Sequence, residues 1–491
     1  MLNRRQFLAK GALGAAALGL QRLRSACAGS RGERPNVLFI FIDDMGYADP
    51  SCFGNPKMLT PNIDRLAWEG MRLTNFYVNK PICSPARVAV TTGQYPGRWG
   101  IHSYIASRAR NEQRGMADYL DPKAPSIGRI FQDAGYATAH FGKWHMGGGR
   151  DVGDAPLPQE YGFEESLVAF EGLGDRVLPP GGLSNASEKL GRGETRRVPK
   201  HKLTEIYVDR TIDFIKDNPD RPFFIRLFPN DVHDVHAPAP GSTEKWKSVT
   251  SNPYEQKFFA VLEELDRQIG RVMEFIDRSG LDQDTLIVFT SDNGPTDWPR
   301  YYREGYEPPG FTGPFYGRKW SLYEGGIRMP FIARWPGTIP AGARDGQTIM
   351  AGMDLVPMFC SLAGVDVPED VQFDGEDLSD ALLGTPVQRE NPLFWQYGPP
   401  HATLMPGKEK FISPSLAVRD GDWKLLINHD GTEAELYNLQ EDPRETHNLF
   451  NEHPERVKQL WKAIRKWAAD VGHETQPAKP KPPEEMYHPN I

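Results

Sequence analysis

Four stretches of this chain, Asn36–Ile42 (NVLFIFI), 136–140, 222–228 (PFFIRLF) and 285–290 (TLIVFT), are short and largely apolar. Runs of this kind suit strands of a parallel sheet that is covered on both faces. Helix-like segments at 63–69, 126–134 and 258–278 fall among them. That alternation predicts an α/β fold, a large mixed and mostly parallel sheet sandwiched by helices. A helical pattern at 353–363 closes the unit, giving a large domain over 34–385. Beyond it the runs shorten, at 415–419, 423–428 and 435–438, and predict a small antiparallel sheet. Val457, Leu460, Trp461, Ile464, Trp467, Ala468 and Val471 then recur at helical spacing behind Pro454, which suits a first helical position. Residues 386–473 therefore read as a small C-terminal α+β subdomain, and 474–491 as a Pro-rich tail.

The N-terminus reads as an address rather than as structure. Arg4 and Arg5 precede Phe7, Leu8 and Lys10, an apolar run occupies 11–20, and Ala26-Cys27-Ala28 forms an A-x-A cleavage pattern. Paired arginines before a mild apolar core match a twin-arginine (Tat) signal over 1–28, and so predict export to the periplasm or beyond. An ordinary Sec signal does not account for Phe7-Leu8 and Lys10. A lipid anchor on Cys27 is disfavoured by Arg24, where an aliphatic residue is wanted. No other stretch approaches the length of a membrane span. The whole chain carries 57 Lys and Arg against 65 Asp and Glu, a formal charge of −8. Removing 1–28 takes away five basic residues and no acidic one, which brings the charge to −13. Such a balance argues against nucleic acid as a partner. The four cysteines, Cys27, Cys52, Cys83 and Cys360, are too few and scattered for a disulfide framework.

The residues just after the apolar runs carry the chemistry, because open α/β sheets bind ligands beyond the carboxyl ends of their strands. The first run ends in Asp43-Asp44 and the fourth in Ser291-Asp292-Asn293-Gly294. Taken singly, such a pair caps a helix or makes a turn; two pairs at equivalent places offer the oxygens that a hard divalent cation takes. Cys83-Ser84-Pro85-Ala86-Arg87 places a cysteine before a helix start, where Arg87 and the helix end would depress a thiol pKa. The plain alternative is a small buried hydrophobe. Lys143 and His145 share parity on an extended segment and so face one way. His233 and His236 come after the third run, and Lys319 precedes Glu324 and Arg328, two residues read as packing the turn. Together these groups suit attack on a tetrahedral oxyanion ester.

These motifs resemble the type I (formylglycine-dependent) sulfatases of the alkaline-phosphatase superfamily. The C-x-P-x-R run Cys83–Arg87 with Thr92-Gly93 is similar to their first signature. Residues 135–145 are similar to the second, with Phe141 where a smaller residue is usual. Asp43-Asp44, Asp292-Asn293-Gly294, Lys319 with Glu324-Gly325-Gly326, and the run from Trp423 to Leu449 also correspond. The resemblance spans roughly 34–450 and is specific because the motifs keep the family's order. It implies an alkaline-phosphatase-like fold and an arylsulfatase-like hydrolase in which a partner enzyme converts Cys83 to formylglycine. One hydroxyl of the hydrated aldehyde would attack sulfur and the alcohol would leave; loss of the other hydroxyl's proton would then expel sulfate. The resemblance further implies that Asp43, Asp44, Asp292 and Asn293, with the modified Cys83, hold Ca²⁺ or else Mg²⁺. Arg87 and Lys143 would stabilise the hydrate, His145 would act as base, and His233 and Lys319 would meet the sulfate and leaving oxygen. The family often has H-x-P where this chain reads His233-Asp234-Val235-His236-Ala237-Pro238, so His236 competes with His233.

A sulfated carbohydrate, or an aryl sulfate, is the expected substrate, from the export signal and the aromatic-rich stretch 293–323. Those aromatics either stack on a ligand or pack the loop. The Gly-rich stretch 147–200 reads as a long loop. Two rivals are a phosphomonoester or phosphonate-ester hydrolase of the same superfamily, and a non-catalytic protein that binds sulfated glycans with Cys83 unmodified.

Overall fold

The computed structural model describes residues 34–397 and 404–471. The signal over 1–28 and the tail over 474–491 lie outside the described residues. Within them eleven strands form one sheet: β1 (Asn36–Ile42), β2 (Met71–Tyr77), β3 (Ala137–Lys143), β4 (Glu165–Ala169), β5 (Arg176–Leu178), β6 (Thr195–Arg197), β7 (Phe223–Phe228), β8 (Thr285–Ser291), β9 (Arg328–Arg334), β10 (Ala343–Asp345) and β11 (Met350–Ala351). Their order is β10-β2-β9-β8-β1-β7-β3-β4-β5-β6, with β11 beside β2. β1 lies between β7 and β8 and is parallel to both. β9 runs antiparallel to its neighbours β2 and β8, so the sheet is mixed and mostly parallel, as the alternation predicts.

Burial explains why these runs are strands. Every residue of β1, β3, β7 and β8 is buried, and side chains alternate between two cores. Val37, Phe39 and Phe41 meet the layer that holds the helices Cys83–Thr92 and Leu355–Ala363. Leu38, Ile40 and Ile42 meet the layer of Leu203–Asp217 and Pro253–Arg278. The latter, a 26-residue helix, starts where Asn252 accepts from the Tyr254 and Glu255 amides and Pro253 takes the first position. No helix of the described residues is long and apolar enough to cross a membrane.

A second, antiparallel sheet runs β12 (Leu393–Gln396), β13 (Leu416–Asp420), β14 (Trp423–Ile427) and β15 (Glu435–Asn438). The helix Pro454–Asp470 covers one face, with Leu460 and Ile464 against Leu416, Val418, Leu425 and Leu436. A buried ion network joins the two sheets. Lys424 Nζ on β14 lies 2.9 Å from Glu324 and 2.8 Å from Glu445. Glu324 also accepts from Tyr77 Oη at 2.5 Å and Arg328 Nη1 at 3.2 Å.

One expectation is corrected. The stretch 147–200 is not a plain loop but contains β4, β5 and β6 at the sheet edge. The strands are short, and β6 is at most half-buried, so no apolar run marks it.

Candidate active site

The carboxyl ends of the strands converge. Asp43 and Asp44 follow β1, Lys143 closes β3, His233 lies in the turn after β7, and Asp292 and Asn293 follow β8. Asp44 bends the chain with φ 62°, a left-handed conformation rare outside glycine. Its amide donates to Asp292 Oδ1 at 3.0 Å, locking the two turns together.

Three cations thread the carboxylates. Lys143 Nζ donates to both oxygens of Asp43 at 2.8 Å. Arg87 Nη2 reaches Asp292 Oδ2 at 2.6 Å and Asp43 Oδ1 at 3.2 Å, while Nη1 holds the Lys143 carbonyl at 3.0 Å. Lys319 Nζ donates to Asp44 Oδ1, which also accepts from Asn293 Nδ2 at 2.7 Å. Burial works against the Asp43 anion, but Lys143, His233 and Arg87 hold its carboxyl well below the usual range. Burial and the Asp43 charge push Asp292 the other way, up to about 7.

Two oxygens of this cluster are left over. Asp44 Oδ2 and Asn293 Oδ1 are buried without a hydrogen-bond partner, which costs free energy unless something else is bound. Ligand atoms of Asp43, Asp44, Cys83 and His233 lie within 4.8 Å of one another. The donor set fits a hard divalent cation. It brings His233 into the group, whereas both Asp292 oxygens are engaged by the Asp44 amide and Arg87.

Cys83 is the first residue of the helix Cys83–Thr92, which is buried throughout, with Pro85 in its first turn. The sulfur stands 3.9 Å from Asp44 Oδ1 and 3.3 Å from Lys319 Nζ. The expected depression of its pKa is overturned: burial pushes the thiol up to about 12 in spite of Lys143 and Lys319. Lys319 is seated by its amide on the Pro295 carbonyl, and Trp320 (φ 71°) donates to Pro81 two residues before Cys83.

His145 does not share an extended segment with Lys143. β3 ends at Lys143, and His145 takes φ 52°, so the parity argument fails although the ring is still close. Burial, Lys143 and Arg87 hold it well below the usual imidazole range, and neither ring nitrogen has a partner. Phe170 carries no signal in the sequence. It follows β4 with φ 48°, its ring 4.7 Å from that of His145 and 5.1 Å from Lys143 Nζ. Only recognition of β4 would have revealed it. His233 Nε2 stands 3.7 Å from Asp44 Oδ2, and burial lowers its pKa to about 4. His236 instead pairs Nε2 with the Val232 carbonyl at 2.9 Å and sets its ring edge against Phe258. The aromatics of 293–323 mostly pack: Tyr301, Phe315 and Trp320 are buried, and Tyr306 is exposed.

A doubly covered α/β sheet with carboxylates, cations and a buried cysteine at its strand ends is the framework of an ester hydrolase acting on an oxyanion. The sulfatase family model matches residues 35–365, and a model for the C-terminal part of N-sulphoglucosamine sulphohydrolase matches 313–470. The chain belongs to the type I sulfatase family and is a sulfatase. It is 28% identical to an N-acetylgalactosamine-6-O-sulfatase of Bacteroides thetaiotaomicron, over 88% of this chain and 93% of that one. It is 31% identical to arylsulfatase A of Homo sapiens, over 85% and 83%. The crystal structure of Ps i-CgsB in complex with k-i-k-neocarrahexaose matches with a TM-score of 0.74 at 25% identity, covering 89% of this chain and 93% of that one.

Proposed function

We propose that this sulfatase removes sulfate from a sulfated carbohydrate, with Cys83 converted to formylglycine as its nucleophile. The observation that carries the reading is the position of Cys83, at a buried helix start within reach of Lys319 and Asp44. The sugar-sulfate relatives and the oligosaccharide-bound relative support a carbohydrate substrate.

Asp43, Asp44, Asp292 and Asn293, with His233 close by, would hold Ca²⁺, or Mg²⁺ in its place. Bound there, the cation would act as a Lewis acid toward a sulfate oxygen. Even with all three ionised, Asp43, Asp44 and Asp292 no more than balance Arg87, Lys143 and Lys319, so a divalent cation makes the pocket positive. A chain this acidic needs such a local field to draw in an anionic ester. Arg87 and Lys143 hold the floor and orient the residue at 83. Lys319, whose pKa is raised by Asp44 against the effect of burial, stays an ammonium and steadies the sulfate oxygens. Lys319, or His233 once the anionic substrate beside it restores the proton that burial disfavours, gives a proton to the leaving oxygen, and neutral His145 takes one at the modified Cys83. Residues 34–385 form the catalytic domain and 386–473 its smaller companion. Maturation requires a formylglycine-generating enzyme, and export the Tat machinery to the periplasm or beyond.

Turnover of a matched aryl sulfate and aryl phosphate tests the reading. A large preference for the sulfate is required; the reverse preference overturns the reading in favour of a phosphatase.

A further inference from the structure

Arg226 sits in the middle of β7 and is wholly buried. Nη1 donates to Thr91 Oγ1 at 2.9 Å, but Nε and Nη2 have no hydrogen-bond partner. Among the described residues no carboxylate forms an ion pair with it, and the charge nearest in effect is another cation, Arg87. A guanidinium cannot shed its proton to escape this. Burying a charge without a counter-charge costs several kcal/mol. The faces of Phe228 and Phe163, at 4.2 and 5.2 Å from the guanidinium carbon, offset only part of that cost.

Directly across the strand pair lies His140, the register partner of Arg226 on β3. It too is wholly buried; its ring nitrogens lack a well-formed hydrogen bond, and the backbone at Gly142 and Lys143 is the polar surface they meet. Its ring meets Trp144, Phe163 and Phe228 edge-on, at 5.0, 5.7 and 5.0 Å. The two side chains thus share the same two phenylalanines; Arg226 Nε and Nη2 offer three N–H bonds and a neutral imidazole one more, with no well-formed acceptor for them. Water would satisfy the hydrogen bonds and leave the charge.

We infer that Arg226 and His140 form a binding site for a small monovalent anion, a halide such as chloride, beneath the catalytic helix. The anion accepts from Arg226 Nε or Nη2 and from the His140 ring, and neutralises the buried guanidinium. It also secures the chain of contacts from Arg226 through Thr91 Oγ1, which donates to the Arg87 carbonyl at 2.6 Å. The inference is independent of the nature of the sulfated substrate.

The test is crystallographic. Protein purified and crystallised with bromide replacing chloride should show a bromide anomalous peak within hydrogen-bond reach of Arg226 and His140. Density of water strength without an anomalous signal overturns the inference. In solution, replacing gluconate by chloride at constant ionic strength, over about a thirtyfold range, should raise the melting temperature by about 2 °C. Arg226→Met should show no halide dependence, and an undiminished dependence in that variant contradicts the site. Should Arg226→Met fail to fold, the anomalous map of the wild-type protein decides.

Discussion

Lys319 Nζ stands 3.3 Å from the Cys83 sulfur, although 236 positions separate the two residues in the chain. Even so close a cation does not make the sulfur a thiolate, because burial outweighs it and pushes the thiol up to about 12. At pH 8 only about one thiol in 10⁴ would be ionised. Protein made without the converting enzyme should therefore be inactive, and Cys83 should resist iodoacetamide until the chain is denatured. Rapid alkylation of native Cys83, read by peptide mass spectrometry, would contradict this picture.

The unpartnered Asp44 Oδ2 and Asn293 Oδ1 make the cation site testable by removal. Dialysis against a chelator should cut kcat/KM by at least about tenfold and lower the melting temperature. Ca²⁺ should restore both. Activity and stability indifferent to exhaustive chelation would rule the cation out of the reaction.

Proton donation to the leaving oxygen matters most when the alcohol is a poor leaving group. Lys319→Met and His233→Ala should each slow sugar-sulfate turnover by about 10²–10⁴-fold. For the variant that lacks the donor, the loss on a nitrophenyl sulfate should be much smaller. If both variants lose equally on the two substrates, neither residue is the donor.

Burial lowers the pKa of His236 to about 4, against about 6.5 for the unfolded residue. Its neutral form is favoured by the fold, so the stability it contributes is complete above pH ~6.5 and is lost as pH falls toward 4. The stability difference between wild type and His236→Asn should shrink over that window by up to about 3 kcal/mol. Denaturant melts at several pH values measure it, and a difference independent of pH would contradict the assignment.

Lys424 holds two buried carboxylates, and burial and Glu324 already push Glu445 up to about 7 despite Lys424. Lys424→Met should destabilise the protein by about 3–5 kcal/mol, and adding Glu445→Gln should recover part of the loss. A single variant that melts within about 1 °C of wild type would show that the network contributes nothing.

The central strands and the acidic residues at their ends are legible in the sequence because each buried run is largely apolar and its polar ending is abrupt. Asp43-Asp44 after NVLFIFI and Asp292-Asn293 after TLIVFTS are such endings. The strands β4 to β6 are not legible, since they are only five, three and three residues long, and β6, with one neighbour, is at most half-buried and needs no apolar run. Missing β4 also hides Phe170. The positions of His145 and Cys83 come from their motifs, but their environments do not. A left-handed backbone at His145 and complete burial at Cys83 depend on segments far away in the chain. Likewise His233 and His236 are equivalent in sequence, and only the fold sends one toward Asp44 and the other toward Phe258.

The central claim is that Cys83 becomes the nucleophile by conversion to formylglycine. Mass spectrometry of the Cys83 peptide from active protein made in its native host tests it most directly. The formylglycine mass is predicted, together with an aldehyde that reacts with a hydrazide probe. An unmodified thiol throughout a fully active preparation would contradict it.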